Sequence, residues 1–384
     1  MESKAGKIVF IVCVFVLFAL GAAAQVMIKD SNLQGETVKS ERVDITFADL
    51  WSGKWQAAQE KYLEDNLKVR EWLIPIRNQI MYSLFKTSPN GNIVIGKNNN
   101  LYEEEYICFE TQIYSARTPE EIDELMDKLK ALDQAVRDAG KKFFVFVTPS
   151  KAEIYYEDIP DRYLWIAPKQ KEKSTYDRFM EALDKTGIAY YDSTVDVRAL
   201  KQTEDFHVFP RTGTHWNNVT AAICAMKLAD SMEEQLDINL PECEVSYQQC
   251  GEPLHPDTDI FNALNLLEKP DDMFVEPIVE ITDPDKEKHV ILARGGSFMG
   301  SSIGRLISYD YFLRSYYLEN TYAFCPEGMY SGNFDSYDIL PLEEMVDDSD
   351  IILLEVNEEA IPRMSFGFID YLLENDVLEK GEGK

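Results

Sequence analysis

Basic residues are scarce in this chain of 384 residues, where 38 lysines and arginines stand against 68 aspartates and glutamates and give a formal net charge of −30. Nucleic acids are polyanions, which proteins bind through clustered lysine and arginine side chains. The composition therefore argues against a nucleic-acid partner. It also argues against strongly anionic polymers, unless the total hides a local basic groove. The acidity itself is typical of a soluble, exposed surface.

Histidine is rare as well, with four residues, and the six cysteines show no CxxC or Cys/His spacing of a metal site. We therefore predict neither a metal nor a soluble cofactor. Cys243 and Cys250 are close enough in sequence to close a short disulfide loop, a pairing that spacing alone leaves open. The sequence also lacks internal repeats and low-complexity tracts, and its 45% hydrophobic content suits one large domain with a small appendage.

The N-terminus carries two lysines, Lys4 and Lys7, followed by an uncharged apolar run from Ile8 to Ala24. Residues 1–28 fit either a signal peptide cleaved at a small-residue site or an uncleaved signal anchor. We favour the anchor because apolar residues continue past Ala24. Positive charge before the run places the N-terminus in the cytoplasm. Both alternatives put the rest of the chain outside the cytoplasm, at the cell membrane or, after cleavage, secreted.

The remaining chain divides into a linker and helical segment at 29–90 and an α/β domain at 91–384. Thr118 and Pro119 open a helix whose apolar stripe ends at Gly140, and a continuous apolar run then predicts a strand buried on both faces. Helix followed by buried strand is the unit of a parallel sheet. Further strands are predicted at 92–96, 188–191, 290–293 and 351–356, and further helices at 49–86, 176–185, 218–235 and 301–316. Residues 240–285 are expected to form a surface excursion. The architecture predicted is an open, mainly parallel sheet flanked by helices.

Ligands in such sheets bind at the carboxyl ends of the strands. Ser297 follows the strand ending at Ala293, beside Gly295 and Gly296, which allow a tight turn. His215 precedes the helix beginning near Asn218 and suits a general base. Each residue taken alone also fits an ordinary helix cap or a hydrogen-bonded structural side chain.

Together the two segments resemble the SGNH hydrolase-like domain of the alginate O-acetyltransferase family, which includes the "DHHW" proteins. In that family an Asp-x-His-Trp motif precedes a Gly-x-Ser-Tyr/Phe motif, and here Thr214-His215-Trp216 precedes Gly295-Gly296-Ser297-Phe298. The order is permuted relative to ordinary SGNH esterases. The resemblance covers roughly residues 45–365, with other family-like stretches at Trp51–Trp55, Val94–Tyr102 and Thr148–Pro160.

The departure from the family pattern is Gly213, which stands where the family has the acid of the triad. That acid orients the imidazole and stabilises its cation. Asp205, or Glu204 beside it, is a weak substitute, and a backbone carbonyl is another. Asn357 follows another buried strand, and by analogy with the Gly-x-Asn block of SGNH enzymes it is expected to complete an oxyanion hole with the Ser297 N–H. Arg211 and Arg294 flank the two motifs and are expected either to orient substrate or to be plain surface charges, and Trp216 is expected to contact substrate.

The resemblance implies an extracytoplasmic O-acetyltransferase that acylates Ser297 and passes the acetyl group to a polysaccharide. It also implies a membrane-bound O-acyltransferase partner that supplies acetyl groups. Two alternatives stay open. The first is a carbohydrate acetylesterase of the same fold. The second is a catalytically silent polysaccharide-binding or scaffold protein, which the loss of the acid at Gly213 favours.

Overall fold

The computed structural model describes residues 4–27, 33–34, 39–169, 172–283, 288–375 and 377–378. The chain forms two compact units. One comprises Met1–Gly91 and Phe261–Lys269, and the other comprises Asn92–Ile260 and Pro270–Lys384. The predicted linker at 29–48, the segment at 1–28 and the C-terminal end lie partly outside the described residues.

The first unit is helical, as predicted for 49–86. Its helices are α1 (Lys4–Met27), α2 (Phe47–Ser52), α3 (Lys54–Asn66) and α4 (Lys68–Phe85). Thr46 caps α2 by accepting a hydrogen bond from the Asp49 N–H, and Gly53, at a φ of 80°, separates α2 from α3. Within the described parts of the chain, the helices include none with the length and apolar character needed to cross a membrane.

The second unit alternates strands and helices. Its strands are β1 (Ile93–Ile95), β2 (Leu101–Glu103), β3 (Lys142–Thr148), β4 (Tyr190–Asp192), β5 (Glu242–Gln249), β6 (Val275–Asp283), β7 (Val290–Gly295), β8 (Arg314–Glu319), β9 (Tyr322–Phe324), β10 (Gly332–Asn333) and β11 (Ile351–Asn357). Its helices are α5 (Glu104–Glu110), α6 (Pro119–Asp138), α7 (Lys151–Ile154), α8 (Asp161–Ile166), α9 (Thr175–Leu183), α10 (Thr194–Thr203), α11 (Asn218–Leu236), the start of α12 (Asp259–Asn262), α13 (Phe298–Ser308), α14 (Leu342–Asp348) and α15 (Phe368–Glu374). The last two residues of α12 belong to the first unit.

A seven-stranded sheet in the order β10-β9-β8-β7-β11-β3-β4 forms the centre of this unit. The five strands from β8 to β4 are parallel. At one edge β9 pairs antiparallel with β8, and β10 pairs antiparallel with β9. The prediction of a mainly parallel sheet flanked by helices is therefore confirmed. Hydrophobic clusters cover both faces of the sheet, which explains the continuous apolar runs of β3, β7 and β11.

The strand order brings three chain segments together at the carboxyl edge. β7, β11 and β3 are neighbours, so their carboxyl ends meet there: Gly296 and Ser297 follow β7, Asn357 ends β11 and Thr148 ends β3. Helix α6 begins as its sequence indicated, with a capping box in which Thr118 and Glu121 satisfy each other's backbone N–H groups.

Two predictions for the C-terminal half need correction. The helix predicted to reach residue 316 ends at Ser308, where Asp310 adopts a left-handed φ of 63° and the aromatic run 314–319 pairs as β8. The excursion at 240–285 contains an antiparallel pair, β5 and β6, with α12 between them. Cys243 and Cys250 lie seven residues apart at the two ends of the extended β5. That spacing is about 23 Å, too far for a disulfide between them.

Candidate active site

Ser297 lies at the turn between β7 and α13. Its backbone is in the helical region, and its side chain makes no N-cap hydrogen bond to the helix that it precedes. The hydroxyl instead pairs with the imidazole of His215, with Oγ and Nε2 2.8 Å apart. The structure therefore brings together the two residues that the sequence singled out, in the geometry of a nucleophile and its general base.

His215 is fixed by the loop that leads into α11. Asn217 caps that helix by accepting a hydrogen bond from the Thr220 N–H, and its own backbone N–H donates to the carbonyl of Val208. The imidazole packs against the ring of Phe298, the residue after the serine, with centroids 4.9 Å apart. These contacts set the ring beside Ser297 while leaving about a fifth of its side chain exposed to solvent.

The third member of the constellation is Asp259, at the start of α12. Its Oδ2 lies 2.5 Å from His215 Nδ1. Its Oδ1 accepts hydrogen bonds from the backbone N–H groups of Thr214, at 2.8 Å, and Ile260, at 2.7 Å. A carboxylate held in this way orients the imidazole and stabilises its cation. The chain thus contains a connected Ser297–His215–Asp259 arrangement that the sequence did not reveal.

The position of Asp259 also accounts for Gly213. A Cβ atom at residue 213 would lie 2.9 Å from the carbonyl oxygen of Asp257 and 3.1 Å from that of Pro256. The loop that delivers Asp259 therefore occupies the space that an aspartate side chain at 213 needs. Thr212 also holds this loop in place, because its hydroxyl donates a hydrogen bond to the Asp257 carbonyl at 2.7 Å.

The predicted substitute acid is not at the imidazole. Asp205 accepts a hydrogen bond from the hydroxyl of Tyr247, which also donates to Glu204. His215 Nδ1 is bound by Asp259 instead. The prediction that Asp205 replaces the missing acid is therefore wrong. The acid comes from the segment predicted to be a surface excursion, where nothing local distinguished one carboxylate among many.

Trp216 has a structural role in the site and does not contact a ligand. The side chain is fully buried, packs against the Phe298 ring at 5.5 Å and donates its indole N–H to Ser301 Oγ at 2.7 Å. This bond joins the start of α11 to α13, so that the histidine and serine segments are held together. The expectation that Trp216 contacts substrate is not met, because no part of its ring reaches solvent.

The two arginines predicted to contact substrate are also engaged elsewhere. Arg294 is 1% exposed and donates to the carbonyls of Gly295, Leu318 and Asn320 and to the Tyr337 hydroxyl, at 2.8–3.0 Å. It therefore fixes the turn that carries Ser297. Arg211 donates to the Asp271 carbonyl at 2.7 Å, and its Nε lies 3.7 Å from Asp272. Both predictions are corrected to structural roles.

Glu355 holds the serine turn from beneath. This fully buried side chain of β11 accepts hydrogen bonds from the Gly296 N–H at 2.7 Å and from the Thr148 hydroxyl at 2.7 Å. A Cβ at Gly295 would lie 2.6 Å from Glu355 Oε2, so only glycine fits there. Burial raises the pKa of Glu355 to about 7, because the ionised carboxylate loses its hydration.

Lys151 holds the histidine loop in a comparable way. Its ammonium is buried after β3 and donates to the carbonyls of Pro210 at 2.6 Å and Gly213 at 2.8 Å, next to the ring of Tyr102. Burial lowers the pKa of this lysine to about 7. Lys151 belongs to the family-like stretch Thr148–Pro160. Its two hydrogen bonds anchor the chain on either side of residues 211–212.

Among the residues that the structure describes, Ser297 lines a larger and a smaller cavity. The larger, of about 440 Å³, is lined by His215, Ser297, Arg305, Glu319 and the small residues along one side of α13. We call it the catalytic pocket. The smaller, of about 100 Å³, lies on the other side of the serine and is lined by residues that include Asn320, Glu355 and Asn357.

The predicted oxyanion donor Asn357 lines the small cavity but is engaged elsewhere. Its amide nitrogen donates to the Pro149 carbonyl at 3.0 Å and to Thr148 Oγ1 at 3.3 Å, and its Oδ1 accepts from the Glu359 N–H. Its proposed role as the second donor is therefore corrected to bridging the ends of β3 and β11. Asn320, just after β8, borders the same cavity with an exposed side chain that makes no hydrogen bond to another described residue.

Carboxylates that could hold a cation occur away from the triad residues. Glu110, Glu153 and Glu358 bring their oxygens within 4.8 Å of one another. Glu358 already accepts hydrogen bonds from the N–H and hydroxyl of Ser150, and burial raises its pKa well above the usual value. None of these three carboxylates belongs to the Ser297–His215–Asp259 arrangement.

A comparison with known protein families identifies the family of this chain. The family model of the SGNH hydrolase-like domain of the acetyltransferase AlgX matches residues 93–289, just over half of the chain. The chain belongs to this family. The matched residues include His215 and Asp259 and end before Ser297. In the structure, Ser297 lies at the turn between β7 and α13 and is hydrogen-bonded to His215. The resemblance inferred from the motifs is therefore confirmed.

Relatives in the same family share moderate identity. The probable alginate O-acetylase AlgJ of Pseudomonas syringae pv. tomato is 29% identical over 232 residues, which cover 58% of this chain and 55% of the relative. The protein of the same description from Pseudomonas aeruginosa is 25% identical over 193 residues, covering 50% of this chain and 46% of its own. This family member thus spans about half the length of the curated relatives that it matches.

Solved structures give a weaker likeness. The O-acetyltransferase domain of Pseudomonas putida AlgJ aligns with a TM-score of 0.44 and 17% identity, covering 74% of this chain and 99% of that one. Pseudomonas aeruginosa AlgX aligns with a TM-score of 0.44 and 14% identity, covering 72% and 67%. At these scores the alignments add nothing to what the family match shows.

Proposed function

We propose that this protein is an O-acetyltransferase that modifies hydroxyl groups of a polysaccharide through an acetyl-Ser297 intermediate. The observation that carries the proposal is the hydrogen-bonded chain from Ser297 Oγ through His215 to Asp259. Relatives described as probable alginate O-acetylases support the choice of reaction. The alternative of a catalytically silent scaffold was based on the absence of the family's acid at Gly213. The hydrogen bond between Asp259 and His215 weakens that alternative.

The chemistry follows from the geometry. Ser297 Oγ attacks the carbonyl carbon of an acetyl ester or thioester donor, and His215 Nε2 takes the hydroxyl proton. The C–O or C–S bond to the leaving group then breaks, and His215 returns the proton to that group. Asp259 stabilises the imidazolium between the two events. In the second half, a sugar hydroxyl attacks the carbonyl carbon of acetyl-Ser297 and gives its proton to His215. The bond between that carbon and Ser297 Oγ then breaks, His215 returns the proton to Oγ, and the sugar leaves as the acetyl ester.

The developing oxyanion needs hydrogen-bond donors. The Ser297 N–H lies at the start of α13 and donates to no other described residue. The exposed amide of Asn320 borders the same small cavity as Ser297 and replaces Asn357 in our assignment. We place the carbonyl oxygen of the acyl group in this cavity, and the leaving group or the acceptor in the catalytic pocket.

The test uses the full chain with p-nitrophenyl acetate, with and without an oligosaccharide acceptor, beside Ser297→Ala, His215→Ala and the control Asp205→Asn. We expect nitrophenol release and acetylated acceptor, detected by mass spectrometry, in the parent and the control only. Release without acceptor acetylation would make the protein an esterase. Equal background rates in all four proteins would refute an acyl-serine enzyme.

The place of action is a second part of the proposal. The lysine-flanked apolar run at the N-terminus supports export of the domain, with the segment kept as an anchor or removed. A membrane-bound O-acyltransferase that delivers acetyl groups outside the cytoplasm is the partner we propose, by analogy with the family. Protease accessibility of the domain in intact cells tests the first point. Co-purification of a multi-spanning acyltransferase from solubilised membranes tests the second.

A further inference from the structure

A second opening continues the catalytic pocket along helix α13. It has a volume of about 550 Å³ and shares Gly300, Gly304 and Glu319 with the catalytic pocket. Its far walls are mainly apolar and are formed by Ile307, Tyr317, Phe324 and Pro326 among others. We call this opening the aromatic cleft. Because the two cavities share lining residues, a chain whose reacting group sits at Ser297 can extend into the cleft.

The catalytic pocket and the aromatic cleft are continuous because α13 carries glycine, which has no side chain, where they meet. A side chain at Gly300 would meet the Glu319 carboxylate at 3.2 Å and the Tyr317 hydroxyl at 3.4 Å. At Gly304 a Cβ would meet only ordinary contacts at 3.9 Å, so the helix does not need glycine for packing there. Glycine lowers helix stability relative to alanine. Its use at Gly304 is explained if the space above the helix has to stay open.

The ring of Phe324 gives the cleft a fixed apolar face. Its side chain is 51% exposed, although the ring contacts Tyr322 at a centroid distance of 4.4 Å and Tyr317 at 5.5 Å. The short antiparallel strand β9 holds it in place. An exposed aromatic ring that is held rigidly by two others presents a flat surface at little entropic cost to binding.

The charges of the cleft limit its ligand. Arg314 is the basic residue among the described residues that line it, and its guanidinium is already paired with Asp348 at 2.6 Å. Glu319 contributes a carboxylate that accepts a hydrogen bond from the Tyr317 hydroxyl at 2.7 Å. The lining therefore offers hydrogen-bond acceptors and apolar area, with no unpaired cation to balance an acidic ligand.

We propose that the aromatic cleft binds neutral sugar residues of the acceptor chain adjoining the sugar that receives the acetyl group. The proposal rests on the acetyltransfer assigned to Ser297. A pyranose ring has a C–H face that packs on Phe324 and hydroxyl groups that donate to Glu319, so it uses both features of the lining. An alkyl chain of a longer acyl donor would offer Glu319 no hydrogen bond beyond the one that Tyr317 supplies. A polyuronate would bring negative charge towards Glu319.

Binding is measured separately from catalysis, in the full chain carrying Ser297→Ala. Isothermal titration compares neutral β-1,4-glucan and β-1,4-mannan hexasaccharides with hexamannuronate. The variants are Phe324→Ala, which removes the ring, and Gly304→Leu, which fills the opening. The control is Trp165→Ala, because Trp165 is 78% exposed on α8 and lines neither cavity.

We expect at least one neutral hexasaccharide to bind, with its Kd raised roughly tenfold or more by either cleft variant and unchanged by the control. Hexamannuronate binding more tightly than both neutral chains would overturn the proposal, as would equal affinity in all variants. The same cleft variants are also made with Ser297 intact and assayed with p-nitrophenyl octanoate. A turnover that falls in Phe324→Ala, while glycan affinity stays constant in the Ser297→Ala background, would assign the cleft to the acyl chain instead. Because the proteins used for binding lack the nucleophile, a failed binding result leaves the acetyltransfer test unaffected, and the reverse also holds.

Discussion

Replacement of Asp259 by asparagine tests the one member of the Ser297–His215–Asp259 arrangement that the sequence did not predict. The asparagine Oδ1 can still accept hydrogen bonds from the Thr214 and Ile260 N–H groups, so the loop keeps its shape. Its amide nitrogen then faces His215 Nδ1 and can only donate. The imidazole is forced to place its proton on Nε2, where it cannot accept the proton of Ser297. We therefore expect a properly folded protein with an idle base.

The magnitude follows from that change of tautomer. A triad that loses its acid in this way slows by roughly 10³- to 10⁴-fold, or about 4–5.5 kcal/mol of transition-state stabilisation. The assay is the rate of nitrophenol release from p-nitrophenyl acetate at saturating substrate, with thermal unfolding as the check on folding. Asp205→Asn is the matched control and should retain the parent rate. A loss below tenfold for Asp259→Asn with an unchanged melting temperature would refute the assignment, and so would equal losses in both variants.

Three further outcomes are expected. Gly213→Asp restores the family motif but pushes its Cβ against the Asp257 carbonyl, so thermal unfolding should show a loss of about 1–3 kcal/mol together with lower activity, while Gly251→Asp, where nothing lies within 4 Å, should show neither. Glu355 has a folded pKa raised to about 7, so its contribution to stability is fully present below its unfolded pKa and is lost as the pH rises to about 7. Denaturant titrations should therefore show about 3 kcal/mol less stability at pH 8 than at pH 4.5 from this group, and that slope should vanish in Glu355→Gln. Trp216→Phe loses the hydrogen bond to Ser301 and should cost about 1 kcal/mol of stability in the same titrations, with a moderate fall in rate because the two motif segments loosen.

The parts of the site that could be predicted are those with a local signature. Ser297 follows a continuous apolar run and two glycines, and His215 precedes a strongly patterned helix, so both lie where strand order makes a crevice. The fold followed for the same reason, since helices α6 and α11 and strands β3, β7 and β11 carry strong periodic or continuous patterns. The end of α13 was misjudged because apolar residues continue through Tyr311 and Phe312 without a glycine or proline to interrupt them.

The parts that could not be predicted depend on tertiary neighbours. Arg294 was expected to orient substrate or to be a surface charge, yet it donates to the carbonyls of Leu318 and Asn320 near the end of β8. A sequence does not show which carbonyls a fold brings to an arginine. Asn357 was assigned from its position after a buried strand. Whether its amide faces the serine or the neighbouring strand is decided by Thr148 and Pro149, more than 200 residues earlier in the chain.

Gly213 and Asp259 are two consequences of one packing arrangement. The aspartate reaches Nδ1 of His215 only because its loop lies against residue 213, and the loop can lie there only because residue 213 has no side chain. A glycine at this motif position is therefore consistent with an active triad whose acid lies 44 residues after the histidine in the chain. Loss of the motif acid indicates loss of catalysis only when no other carboxylate reaches the imidazole. In this chain the space beside Gly213 is filled by the loop that brings Asp259 to the imidazole.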